Sequence, residues 1–162
     1  KFYVTKTKSL DSTKKYFNES QSITGVELKE FSLLYLLLNN LSFFQANTHL
    51  VENVKLFTEI NKQIFNSIIE RLKSGEQMSI ENLKLDKQLL DKINKFAPIK
   101  HILKNKTDNE DQVIELLDDI SKDLFNHDLE LRIQELESKF SEDLSETTFN
   151  ELKDLKNERK TN

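Results

Sequence analysis

The stretch NEDQVIELLDDISKDLFNHDLELRIQELESKF, residues Asn109 to Phe140, decides how this chain folds. It contains neither Gly nor Pro and is dense in Glu, Asp, Leu, Ile and Lys. Its apolar residues recur at steps of three and four, which is the spacing of one helix face. The pattern predicts a single continuous helix of roughly 30 residues, about 45 Å long at ~1.5 Å per residue. Two apolar stripes run along it. Val113, Leu116, Leu117, Ile120 and Leu124 form the first, and Phe125, Leu129, Ile133, Leu136 and Phe140 the second. The step from Leu124 to Phe125 turns the stripe by about 100° around the helix. One helix with two differently facing stripes serves two packed bodies. The expected architecture is a helical body before the turn of the stripe and a helical hairpin after it.

The rest of the chain agrees with an all-α fold. Its 162 residues suit one domain with a small appendage. Two Gly, one Pro and almost no period-two alternation leave little to build strands from. The absence of Cys removes disulfide frameworks and cysteine metal sites and fits a cytosolic location. The longest apolar run, Leu33 to Leu38, is too short to span a bilayer. The chain opens at Lys1 rather than Met and so reads as a piece of something longer. Charge is divided unevenly. Residues 1–107 hold 17 Lys and Arg against 11 Asp and Glu, whereas residues 108–162 hold 7 against 17. The acidic C-terminal part speaks against a grip on nucleic acid there, because phosphate contacts need Lys and Arg. A protein surface is the expected partner.

Three regions follow from the punctuation. Residues 1–24 read as a polar linker, with a short helix around Leu10 to Phe17 capped by Ser9 or Asp11. Residues 25–107, together with the long helix to about residue 125, read as the body. It opens at Thr24, whose Glu27 partner three residues on matches a capping box. Leu28, Phe31, Leu34, Tyr35 and Leu38, widened by Leu33, Leu36 and Leu37, make the next helix apolar nearly all round, hence central. Asn39-Asn40 is expected to end it in a left-handed turn. One helical turn at Leu41 to Phe44 and a short helix over Leu50 to Phe57 follow. A longer helix capped by Thr58 carries Ile60, Ile64, Phe65, Ile68, Ile69 and Leu72 and stops at Gly75. Ser79, Asn82 and Leu83 open a short helix. Leu89, Leu90, Ile93 and Phe96 mark another, broken before Pro98. Lys104 to Asn109 is a polar connection. Residues 126–162 form the hairpin. Ser141 to Thr147 makes the turn, Thr147 or Thr148 caps a last helix with Phe149, Leu152 and Leu155, and the end frays after Asn157.

No catalytic motif is present. There is no GxxxxGK[ST] loop, no HExxH and no Ser–His–acid pattern. Glu115, Asp119, Asp123 and His127 line up at steps of four, but lie opposite the apolar stripe. Carboxylate sites in bundles need ligands converging from several helices. A solvated acidic face is therefore expected, with no catalytic residue, cofactor or metal. The Phe residues sit at core spacing, except Phe140 and Phe149 on the hairpin. Two helices cannot bury many large side chains, so part of that apolar surface is expected to stay exposed.

The run Glu30-Phe31-Ser32-Leu33-Leu34-Tyr35-Leu36-Leu37-Leu38-Asn39-Asn40 resembles the opening helix of the C-terminal helicase-binding domain of bacterial DNA primase. Leu129 to Glu137, followed by Thr148 to Lys156, resembles that family's terminal hairpin, and the likeness covers about residues 27 to 160. It implies a non-catalytic domain, expected to be monomeric, that docks its hairpin on the N-terminal domain of the replicative hexameric helicase during primer synthesis. The cysteine zinc module and acidic polymerase core of the whole primase are missing here. That helicase's own N-terminal domain shares the fold and is one alternative reading. An unrelated helical adaptor is another, although the change of register at Phe125 argues against a simple coiled coil. On the hairpin, the candidate protein-binding residues are Phe140, Glu142, Asp143, Leu144, Glu146, Phe149, Glu151, Leu152 and Leu155. The acidic ones are expected to steer encounter with a basic surface. Phe149, Leu152 and Leu155 either close the hairpin or meet the partner.

Overall fold

The computed structural model describes residues 11–75, 83, 86–103 and 110–161. The helix expected to open at Ser79 and Asn82, the Ser9 cap and the connection Lys104 to Asn109 lie outside them. The α-helices are α1 (Asp11–Gln21), α2 (Gly25–Asn39), α3 (Leu41–Ala46), α4 (Glu59–Ser74), α5 (Lys87–Phe96), α6 (Glu110–Asp143) and α7 (Glu146–Thr161). Short 3-10 turns span Thr48–Leu50 and Pro98–His101, and no strand occurs among the described residues. The fold is all-α.

The body is built around α2. Its first turn is locked by the expected capping box. The Glu27 N–H donates to Thr24 Oγ1 at 3.2 Å and the Thr24 N–H donates to Glu27 Oε2 at 3.0 Å. Leu33, Leu34, Leu36 and Leu37 have no exposed surface, as an all-round apolar helix requires. Helices α4, α5 and the first half of α6 surround it. Asn39-Asn40 does end α2, though not by a left-handed turn. Asn40 has φ −132°, and its side-chain amide donates to the Leu36 carbonyl at 2.8 Å while Asn39 donates to Tyr35 at 2.7 Å. The Asn40 N–H turns to the Leu37 carbonyl at 3.1 Å, and its side chain takes the Leu36 carbonyl one residue earlier.

Residues 51–58 differ from the expected short helix. After the Thr48–Leu50 turn the chain becomes irregular, then extended at Thr58. The cause lies on α2. The fully buried Glu30 carboxylate accepts from the Phe57 N–H, from the Thr58 N–H at 2.9 Å and from the Asn61 side-chain amide at 2.7 Å. These partners replace the helical hydrogen bonds that the segment forgoes. Thr58 stands at the N-cap of α4, but its side chain makes no cap bond. At the other end α4 stops where expected, at Gly75 with φ +72°, a conformation glycine adopts without steric cost.

Helix α6 is continuous for 34 residues, through Leu124 and Phe125. Val113, Leu117, Ile120 and Leu124 join the core around α2, whereas Leu129 and Ile133 join a second core with Leu152 and Leu155 of α7. Phe125 does not begin the second stripe. It is 43% exposed, and the change of face falls between Leu124 and Leu129. At that crossover Lys29 pairs with Asp123 at 3.1 Å and Lys55 with Asp128 at 3.3 Å. The His127 ring meets Phe57 edge-on at 4.8 Å.

The short helix expected around Leu10 to Phe17 is α1, which continues to Gln21. Tyr16 stacks on Phe96 at 5.2 Å, and Lys95 pairs with Glu19 while lying over the Tyr16 ring. At the other end α7 stays helical to Thr161 instead of fraying after Asn157.

Candidate functional site

The hairpin turn is tighter than its sequence suggests. Helix α6 runs to Asp143 and α7 starts at Glu146, leaving only Leu144 and Ser145 between them. Ser141, expected in the turn, stays helical and donates its hydroxyl to the Ser138 carbonyl at 2.6 Å. The cap of α7 is Ser145 rather than Thr147 or Thr148, for its Oγ accepts from the Thr148 N–H at 3.2 Å. Leu144 has φ +39°, and its N–H donates to the Phe140 carbonyl at 2.9 Å. That is a left-handed helix stop, where glycine is the usual occupant. Leu144 is also 74% exposed. The strained position thus holds a large apolar side chain out in solvent.

The other candidate residues separate into two roles. Leu152 and Leu155 are buried against Leu129 and Ile133, so they close the hairpin. Phe149 is 50% exposed, with its ring 5.8 Å from that of the half-buried Phe140. Glu142, Asp143, Glu146 and Glu151 are all exposed. At about 100° per residue, α7 presents three faces. Leu152 and Leu155 point to α6. Glu151, Asp154 and Glu158 share a second face. Lys153, Lys156 and Lys160 share the third, and Phe149 falls among them. The lysine face frames a shallow depression of about 250 Å³ lined by Phe149, Leu152, Lys153, Lys156, Asn157 and Lys160. Lys156 pairs with Glu137 of α6 at 2.6 Å. The overall acidity of residues 108–162 conceals this lysine row in the sequence. Plotting α7 alone on a helical wheel reveals it.

The row Glu115, Asp119, Asp123 and His127 is divided among other partners. Glu115 and Asp119 are exposed, Asp123 pairs with Lys29, and His127 rests on Phe57. Among the described residues, no three His, Cys, Asp or Glu side chains gather in a way that could hold a metal ion. A larger, open groove between α1 and α5 is lined by Lys15, Tyr16, Glu19, Gln88, Asp91, Lys92 and Lys95. Its charges are mixed, and the Lys95 hydrogen bond holds the Glu19 carboxyl below its usual range. No helix among the described residues is long and apolar enough to cross a membrane. No family model, curated protein or solved structure matches the chain.

Proposed function

We propose that this chain is a non-catalytic docking domain of a bacterial DNA primase. In this reading the α6–α7 hairpin grips the N-terminal domain of the replicative hexameric helicase, in the cytoplasm, as part of the replication machinery. The observation that carries the reading is α6 itself, one unbroken helix belonging to two separate cores. The second core consists of four buried residues with Leu136 against them, and it leaves Leu144 and Phe149 exposed. An appendage so small, held out on a helix rooted in the body, suits presentation of a surface better than it suits chemistry. The order of elements adds support through its resemblance to the primase domain. The body modulates the helicase, while the polymerase core of the parent protein makes primers. Glu142, Asp143, Glu146 and Glu151 steer encounter with a basic surface, so binding weakens as salt rises.

The test is gel filtration and calorimetry of the chain with the replicative helicase from the same cell, beside a chain truncated after Glu142. The full chain is expected to bind. The truncated chain is expected to lose binding while circular dichroism shows the body still helical. Equal binding by both would move the contact to the body. Failure of the full chain to bind would end the primase reading.

A further inference from the structure

We infer that the lysine face of α7 is a seat for an acidic amphipathic helix, with Phe149 as the apolar contact. The inference builds on the hairpin being the binding end, and it changes which side of the hairpin does the seating. An exposed aromatic is the feature that most often anchors a protein contact. Here its side of α7 carries the three lysines, with Glu146 one turn before it. Phe149 and Leu152 form the apolar part of the depression, and Lys153, Lys156 and Lys160 rise beside them along one helix face. Among the described residues Lys153 and Lys160 make no ion pair, and Lys156 has only the half-exposed Glu137. The lysines recur at steps of three and four, so carboxylates at the same spacing on a partner helix meet them in register. The partner's apolar stripe then covers Phe149.

A polyanion fits less well. Glu146 lies one turn before Phe149 on the same side of α7, and Glu137 of α6 stands beside Lys156, so the lysine row is bounded by carboxylates. A nucleic acid strand or an anionic bilayer, extending past the row, would bring phosphates against them. A helix whose acidic row is only as long as Lys153 to Lys160 meets the lysines alone.

The experiment uses the full chain and four probes. These are a synthetic amphipathic helix with a Leu stripe flanked by Glu, the same peptide flanked by Lys, an oligothymidine strand, and phosphatidylserine vesicles. Affinity is read by fluorescence anisotropy or co-sedimentation, and the bound face by amide NMR shifts. The Glu peptide is expected to bind, shifting amides from Phe149 to Lys160. The double variant K153E/K160E is expected to weaken it by about tenfold or more with unchanged circular dichroism. Both lysines are exposed, so the variant spares the hairpin core. Three results overturn the inference: equal binding of the Lys peptide, shifts that map elsewhere, or tighter binding of oligothymidine or vesicles. So does failure of the Glu peptide to bind. The helicase experiment above is read separately. A chain that binds the Glu peptide but not the helicase keeps the lysine seat and loses the primase reading. A chain that binds the helicase but not the peptide does the reverse.

Discussion

Glu30 and Asn61 meet across the interior of the body, where the Asn61 side-chain amide donates to the Glu30 carboxylate at 2.7 Å. Both residues are buried, at 0% and 2% exposure. The same carboxylate takes the N–H groups of Phe57 and Thr58, so one side chain of α2 fixes the start of α4. The position also suits the charge, because the N-terminal end of a helix favours an anion. Glu30→Ala strands three donors, that of Asn61 buried and those of Phe57 and Thr58 half-buried, and is expected to cost about 3 kcal/mol. Glu30→Gln keeps an acceptor oxygen but turns an amide toward other donors, and is expected to cost roughly half as much. Urea unfolding of the two variants checks the order. Equal costs would mean that a neutral acceptor restores nothing and that the charged carboxylate carries the contact.

Leu144→Gly tests the strained turn. Glycine relieves the left-handed conformation at φ +39° and is expected to stabilise the hairpin by about 0.5–1 kcal/mol, net of its freer unfolded state. Under the docking reading the same change removes an exposed contact and lowers helicase affinity. Thermal unfolding and binding calorimetry on one sample separate the two effects. A variant that is both more stable and a better binder would strip Leu144 of any role in contact.

Leu152→Ala removes a side chain from a core of only four buried residues. The expected cost is about 3 kcal/mol, the range for large-to-small changes in a core. Because this core is separate from that of the body, the loss should be local. Hydrogen exchange is expected to speed up along α7 while the amides of Leu33 to Leu37 keep their protection. Uniform loss of protection would show the two cores to be one cooperative unit.

Glu19 sets a pH dependence. The hydrogen bond from Lys95 lowers its carboxyl below the usual 4.5, against a smaller opposing effect of burial. A depressed folded value means that the contribution is fully present above about 4.5 and is lost as pH falls below it. The docking of α1 on α5 is therefore expected to loosen in acid, read as faster exchange of α1 amides. Glu19→Gln should weaken docking at neutral pH and flatten that dependence. A variant with the parent's pH profile would assign the effect to another carboxylate.

The long helix and its two bodies were legible because the signal is local and repeated. A Gly- and Pro-free run with stripes at helical spacing leaves few alternatives, and the capping box at Thr24 and the stop at Gly75 are equally short-range. The misreadings share a different origin. Residues 51–57 look helical by their apolar content, but their backbone is claimed by Glu30, far off in sequence. The helix expected around Leu10 to Phe17 is present but runs on to Gln21, and the surface Tyr16 stacks on, Phe96, comes much later in the chain. Phe125 sits at a plausible spacing on the wrong side of the crossover, where Lys29 and Lys55 make ion pairs with α6 that periodicity does not report. At the candidate site, Leu152 and Leu155 were readable as residues that close the hairpin or meet a partner, and packing decided for closure. The lysine row on α7 was present in the sequence, but the net charge of the region drew attention to its acids.

The placement of α2 has a consequence for how the protein is made. Its Leu33 to Leu37 surface is complete only when Val113 to Leu124 of α6 lie against it. A ribosome delivers α2 long before α6. During that interval the nascent chain holds a helix that is oily on nearly every side with part of its cover still untranslated, the kind of intermediate that attracts chaperones. The hairpin faces no such delay, since α6 and α7 emerge one after the other and are joined by two residues. Slowing translation between α5 and α6 should therefore lower the soluble yield, whereas a pause after α7 should leave it unchanged.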